Sequence, residues 1–165
     1  MAPALRLLDI LQALGRHGVD FILVGGIAAV LEGAPVATFD LDIVPNPEPE
    51  NRGRLLAALQ ELNARYLDPA GRHFVPDEAK LVSMRLHQLL TDAGPLDVLR
   101  TIGTGMTYED LAGRTREVEV AGHRFQCLKL DAVIESKEQA NREKDRAVLP
   151  ILRRTLQQKK TAEPG

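Results

Sequence analysis

An α/β fold, a mixed sheet backed by helices, is predicted by three features of this sequence. The apolar run Phe21 to Val24 ends at Gly25-Gly26 and leads into a short helical stretch, a strand-to-helix turn. Further strand-like segments follow as Thr38 to Val44 and as two hairpins, each built around a turn signal. Two helices after Leu130 close the chain.

Ala4, Leu7, Leu8, Leu11 and Leu14 lie at three- and four-residue spacings, which predicts an amphipathic helix from about Pro3 to Leu14 that stops near Gly15. Phe21 to Val24 reads as a buried strand, and Ile27 to Leu31 as a short helix closed by Gly33. The segment TFDLDIV alternates, so that Phe39, Leu41 and Ile43 face the core while Thr38, Asp40, Asp42 and Val44 face the other way. The run PNPEPEN opens a loop whose acids suit the first turn of a helix from Arg52 to about Asn63, with Leu55, Leu56, Leu59 and Leu62 on its core face. Tyr66 to Ala79 carries Pro and Gly without a period and reads as loop or a weak hairpin. Leu81 to Leu90 and Leu96 to Arg100 form a hairpin about DAGP, and Val118 to Val120 and Arg124 to Cys127 a smaller one about AGH. Helices then cover Leu130 to Ala140 and Asp145 to Leu156, with Pro150 a candidate kink, and the tail QQKKTAEPG is expected to fray.

A length of 165 residues fits one domain with a sizeable core. Lys and Arg number 21 against 23 Asp and Glu, a formal charge of -2, so the chain as a whole carries no basic footprint for nucleic acid. The single cysteine, Cys127, excludes an intramolecular disulfide and a multi-cysteine zinc site and is expected in the core. Arg6, Asp9, Arg16 and His17 interrupt the apolar residues near the start, and no segment reaches membrane-spanning length. The chain is therefore expected in the cytoplasm, without a membrane partner.

Aspartate is depleted in strands, so the pair Asp40 and Asp42 calls for a reason beyond propensity. Two like charges two residues apart raise at least one pKa unless a cation lies between them, and hard divalent ions such as Mg²⁺ take such oxygens. A solvent-exposed strand face is the plainer reading of this segment alone. Gly25-Gly26 adds a place where missing Cβ atoms let backbone N–H groups approach a phosphate. The later strand PLDVL presents Asp97 on the face opposite Leu96 and Val98. Three acids on strands can then converge beside the glycines, the arrangement that two-metal nucleotidyl transfer requires. His73, His87 and His123 show no ligand-like spacing and receive no role.

These segments, with LKLDAVIESKEQANREKDRAVLPIL, resemble the small bacterial nucleotidyltransferase-like proteins of the polymerase-beta superfamily, especially the abortive-infection toxin type. The resemblance runs from about Leu11 to Leu152 and implies a nucleotidyltransferase core over residues 1–158, with C-terminal helices closing the cleft and a disordered tail at 159–165. It implies that Gly25, Gly26 and Thr38 belong to the nucleotide site and that Asp40, Asp42 and Asp97 are catalytic and hold Mg²⁺. Lys137, Lys144 and Asp145 match the C-terminal motif, whose lysines would face nucleotide phosphates; a solvated helix face is the alternative for these charges. The pattern departs at Val36, where family members often carry Arg. The implied function is metal-dependent transfer of an NMP group from an NTP to an acceptor, RNA (tRNA) or protein. Its rivals are a catalytically silent nucleotide-binding or regulatory module and the toxin component of a toxin-antitoxin pair, which would have an antitoxin partner.

Overall fold

The computed structural model describes residues 4–162. Helix α1 (Leu7–Arg16) precedes β1 (Phe21–Val24), which passes directly into α2 (Gly25–Leu31). Then follow β2 (Leu41–Pro45), α3 (Pro49–Glu61), β3 (Arg65–Tyr66), α4 (Glu78–Ser83), β4 (Leu86–Thr91) and β5 (Gly94–Leu99). A short ribbon of β6 (Thr101–Ile102) and β7 (Met106–Thr107) leads to α5 (Tyr108–Ala112). The hairpin β8 (Thr115–Val120) and β9 (His123–Leu128) and the helices α6 (Leu130–Ala140) and α7 (Glu143–Ala162) complete the chain.

Seven strands form one sheet in the order β3-β4-β5-β2-β1-β9-β8. The pairs β2/β5 and β1/β9 are parallel and the others antiparallel, so the sheet is mixed. Its strand β1 is a continuous apolar run, buried throughout, because both faces are covered there. Strand alternation places Gln88 and Asp97 on one face, toward α2, α6 and α7, and His87 and Val98 on the other, toward α3, α4 and α5.

The expected strand at Thr38 to Val44 begins only at Leu41. Its antiparallel partner β1 ends at Val24, opposite Asp42, because Gly25 turns the chain into α2. Phe39 therefore lies beyond the ladder and is 80% exposed instead of facing the core, while Asp40 sits in a bend just before the strand. Val44 is buried, since the second face of β2 is covered farther along.

The strand expected from Leu81 is helical up to Ser83, because the Asp77 side chain accepts the Lys80 N–H and caps α4. Between Tyr66 and Ala79 only the edge strand β3 and the start of α4 are regular. Helix α3 starts at Pro49, a residue suited to the first helical turn, and buries Leu55, Leu59 and Leu62 with Leu56 half-buried. Helix α5, unforeseen, opens on a capping box between Thr107 and Asp110 and buries Leu111.

Helix α1 begins later than expected, and position 3 lies outside the described residues. Helix α7 continues through Pro150 and, instead of fraying from Gln157, runs to Ala162. Lys159 reaches the buried carboxylate of Glu32 at 3.3 Å and ties this last turn to the body; residues 163–165 of the expected tail lie outside the described residues.

Candidate active site

The turn from β1 into α2 is the first part of the site. Gly25 has φ +65, and a Cβ there would lie 2.3 Å from Oδ2 of Asp42. A Cβ on Gly26 would lie 2.7 Å from Oγ1 of Thr38. Both glycines are thus demanded by the acids and hydroxyl packed against them, as well as by the left-handed turn at Gly25. Thr38 in turn donates to the Asp40 carbonyl at 3.2 Å, fixing the bend that carries Asp40.

Asp42 pairs in register with Asp97 across the parallel β2/β5 ladder, and Asp40 joins them from the bend. One carboxylate oxygen from each of the three lies within 4.8 Å of the others. Burial, then the charges of Asp40 and Asp97, push Asp42 up to about 7, with Lys137 and Lys144 acting in the opposite sense. Burial and the charge of Asp40 push Asp97 up to about 6. Oδ1 of Asp42 is buried without a hydrogen-bond partner. An all-oxygen, clustered donor set with one orphaned buried oxygen fits a hard divalent cation.

Gly25, Gly26, Thr38, Asp40, Asp42, Asp97, Lys137 and Lys144 all line one cleft of about 770 Å³. Asp145 does not; it is buried and acts at one remove. It accepts from the Arg142 side chain at 2.7 Å and lies 3.5 Å from Lys137 Nζ, and its Arg142 bonds outweigh burial and lower its pKa. The chain reverses between α6 and α7 at Asn141, in the left-handed conformation with φ 50, which swings Arg142 and Lys144 toward the cleft. Arg142 is a lining residue, as are Arg85 and the exposed Phe39. Val36 lines the cleft as an apolar, half-buried side chain. Cys127 is fully buried and its thiol is pushed up to about 12, first by burial, so it is a core residue and no nucleophile.

Across the sheet these groups form a row. The glycine pair stands at the end of β1, Asp42 on β2, Asp97 on β5, and Gln88 on β4 opposite Asp97. The row offers the glycine turn at one end, a carboxylate cluster in the middle and a polar amide at the other.

The family model for aminoglycoside-2''-adenylyltransferase matches residues 6–149. No curated protein matches the sequence. Among solved structures, the chain is similar to the antibiotic-resistance factor ANT(2'')-Ia in solution, with a TM-score of 0.58 and 17% identity over 91% of this chain and 82% of that one. It is similar also to ANT(2'')-Ia in complex with adenylyl-2''-tobramycin, at 0.57 and 17% over 91% and 87%. A nucleotidyltransferase-like protein of Thermotoga maritima gives 0.54 and 18% over 94% and 97%. At these identities the structures establish the shared fold, an α/β mixed sheet with helices, and the family model covers most of the chain. No described helix is long and apolar enough to cross a membrane. The chain belongs to the aminoglycoside-2''-adenylyltransferase family, within the polymerase-beta-like nucleotidyltransferases.

Proposed function

We propose that this chain is a metal-dependent nucleotidyltransferase that moves an NMP group from an NTP to an acceptor hydroxyl, as one domain spanning residues 1–158. The observation that carries this reading is the convergence of Asp40, Asp42 and Asp97 beside Gly25-Gly26. These three carboxylates would hold Mg²⁺, which when bound neutralises phosphate charge and lowers the pKa of a nearby hydroxyl. The chain's own groups do the remaining work. Gly25 and Gly26 open α2 in the cleft and seat Asp42 and Thr38 against it, and their backbone N–H groups would hold phosphate. Lys144, and Lys137 held by Asp145, place positive charge in the same cleft. Asp97, beside the ion on β5, is placed to take the hydroxyl proton. A bond forms from the acceptor oxygen to the α-phosphorus as the bond to pyrophosphate breaks.

The acceptor enters from the β4 end, because the phosphate groups occupy the β1 end. Among the described residues no carboxylate beyond the triad lines the cleft, and Arg85 stands at its β4 side. That lining favours a neutral or anionic acceptor, a tRNA terminus or a protein hydroxyl, over a polycation. Family membership favours the second reading, an amino-sugar hydroxyl. Incubation with each α-labelled NTP, Mg²⁺ and, separately, tobramycin, tRNA and cell-extract protein decides between them. Label on tRNA or protein would bring in the toxin role and its antitoxin partner. No label on any acceptor from any NTP would sink the transferase reading and leave a nucleotide-binding module.

A further inference from the structure

The opposite face of the sheet carries a second cavity, of about 520 Å³, between α3, α4 and α5. Such a volume accommodates a small organic ligand. Leu55, Leu81 and Val98 give it an apolar wall. Three arginines, Arg52, Arg85 and Arg100, line it against one carboxylate, Glu109. Arg85 donates to the Thr101 carbonyl at 3.3 Å and Arg100 to the Val82 carbonyl at 2.7 Å; among the described residues neither pairs with a carboxylate. Arg52 donates to the Pro47 carbonyl at 3.3 Å and to Glu78 at 3.4 Å, while its buried Nε has no hydrogen-bond partner among the described residues. His87, 1% exposed, also lines the cavity; Nδ1 contacts the Tyr66 hydroxyl at 2.7 Å, while Nε2 is buried without a partner. Two of the three buried side-chain polar atoms left unpaired among the described residues thus belong to this cavity, the third being Asp42 Oδ1 in the cleft.

Buried polar groups without partners are costly and are commonly satisfied by a ligand or solvent. Guanidinium groups without a carboxylate partner, here Arg85 and Arg100, over an apolar wall select a planar anion, which they bind through paired N–H donors. We propose that this cavity, which opens on the other face of the sheet and shares only Arg85 and Thr101 with the cleft, is a second ligand site for a small organic carboxylate with an apolar body. Burial, with the charge of Arg100 added, outweighs the opposing effect of the Met84 backbone and keeps His87 below its ordinary pKa, hence neutral. A neutral ring that accepts from the Tyr66 hydroxyl at Nδ1 carries its proton on Nε2 and can donate it to the carboxylate.

Calorimetric titration of the full chain tests this with naphthalene-2-carboxylate, naphthalene-2-carboxamide and inorganic phosphate as probes. The carboxylate is expected to bind and to shift the NMR signals of the His87 ring, whereas the amide and phosphate bind at least about tenfold more weakly, as expected for a lost charge-assisted hydrogen bond or a lost apolar body. Arg100→Gln should weaken carboxylate binding by about tenfold or more. Arg52→Gln provides the same reading should Arg100→Gln unfold, with folding followed by circular dichroism. Asp42→Asn, on the other face, should leave the titration unchanged. Equal affinity for acid and amide, no carboxylate binding at millimolar concentration, or a titration altered by Asp42→Asn but not by the arginine variants would overturn the proposal. Because no NTP enters the titration, its outcome is independent of whether the cleft transfers nucleotides.

Discussion

Replacing Asp42 by Asn tests the carboxylate cluster through folding, without any assay of activity. In the metal-free protein its carboxyl is pushed from 3.8 to about 7 by burial and by its two acidic neighbours. That displacement corresponds to about 4 kcal/mol of folding stability. The folded state holds this proton more tightly than the unfolded state. Below about pH 4 both states are protonated and nothing is lost; as pH climbs to about 7 the wild type pays progressively, and above that the loss is complete. Asparagine keeps the volume and removes the charge, although its amide inherits the unpaired environment of Oδ1, a cost of about 1–3 kcal/mol. The net expectation at pH 8 is a variant more stable by about 2 kcal/mol, or about 4–8 °C in Tm for a chain of this size. Thermal unfolding in EDTA at about pH 4 and about pH 8 measures it. The advantage should vanish or reverse at the lower pH. Added Mg²⁺ at the higher pH should raise the Tm of the wild type alone, since only a site that binds the folded state stabilises it. An Asn variant less stable than wild type at both values, or a gap unchanged between them, would refute the account of a repelling, desolvated cluster.

Gly25→Ala should lower the Tm and abolish NTP binding by calorimetry, because its Cβ displaces Asp42, whereas Gly33→Ala, at φ +100 with open space around it, should cost about 1–2 kcal/mol from backbone strain and leave binding intact. Lys144→Met should weaken NTP binding about tenfold without changing stability; Lys137→Met should do both, since it also removes a partner of the fully buried Asp145. Glu32→Ala should cost about 3–5 kcal/mol in urea unfolding, because this buried carboxylate accepts from the Leu130 N–H and pairs with Arg116 and Lys159, joining α2 to β8, α6 and α7. Burial alone would raise the Glu32 pKa, but those bonds lower it below 4.5, so its contribution should be retained at neutral pH and lost as pH falls through the range below that value.

The sheet was legible where pairing is set by local pattern. Phe21 to Val24, the DAGP hairpin and the AGH hairpin carry their signals within a few residues, and each forms a paired strand. Errors arose where a distant partner or a helix cap just upstream decides. Phe39 obeys the alternation of its segment, yet β1 has already turned into α2 at Gly25 and the ladder to β5 begins only at Leu41, so it projects into solvent. Leu81 looks like the start of a strand until Asp77, four residues earlier, caps a helix over it. Glu32 gave no signal at all, because its partners lie on β8, α6 and α7, far along the chain.

The convergence at the site was more readable than these edges, and for a physical reason. Asp42 in the middle of a buried parallel ladder, and glycine rather than alanine at the opening of α2, each contradict local preference. The structure shows these two conflicts to be one, since the Asp42 carboxylate occupies the space where a Gly25 side chain would begin. Neither residue can be relaxed alone: a side chain at 25 would expel the acid, and an apolar residue at 42 would leave the turn with nothing to accommodate. A fold selected only for stability would have no use for the pair, because the acid is desolvated and repelled by Asp40 and Asp97. Their joint presence argues that the local cost is offset by a bound cation, which is the premise that the Asp42→Asn melting series puts at risk.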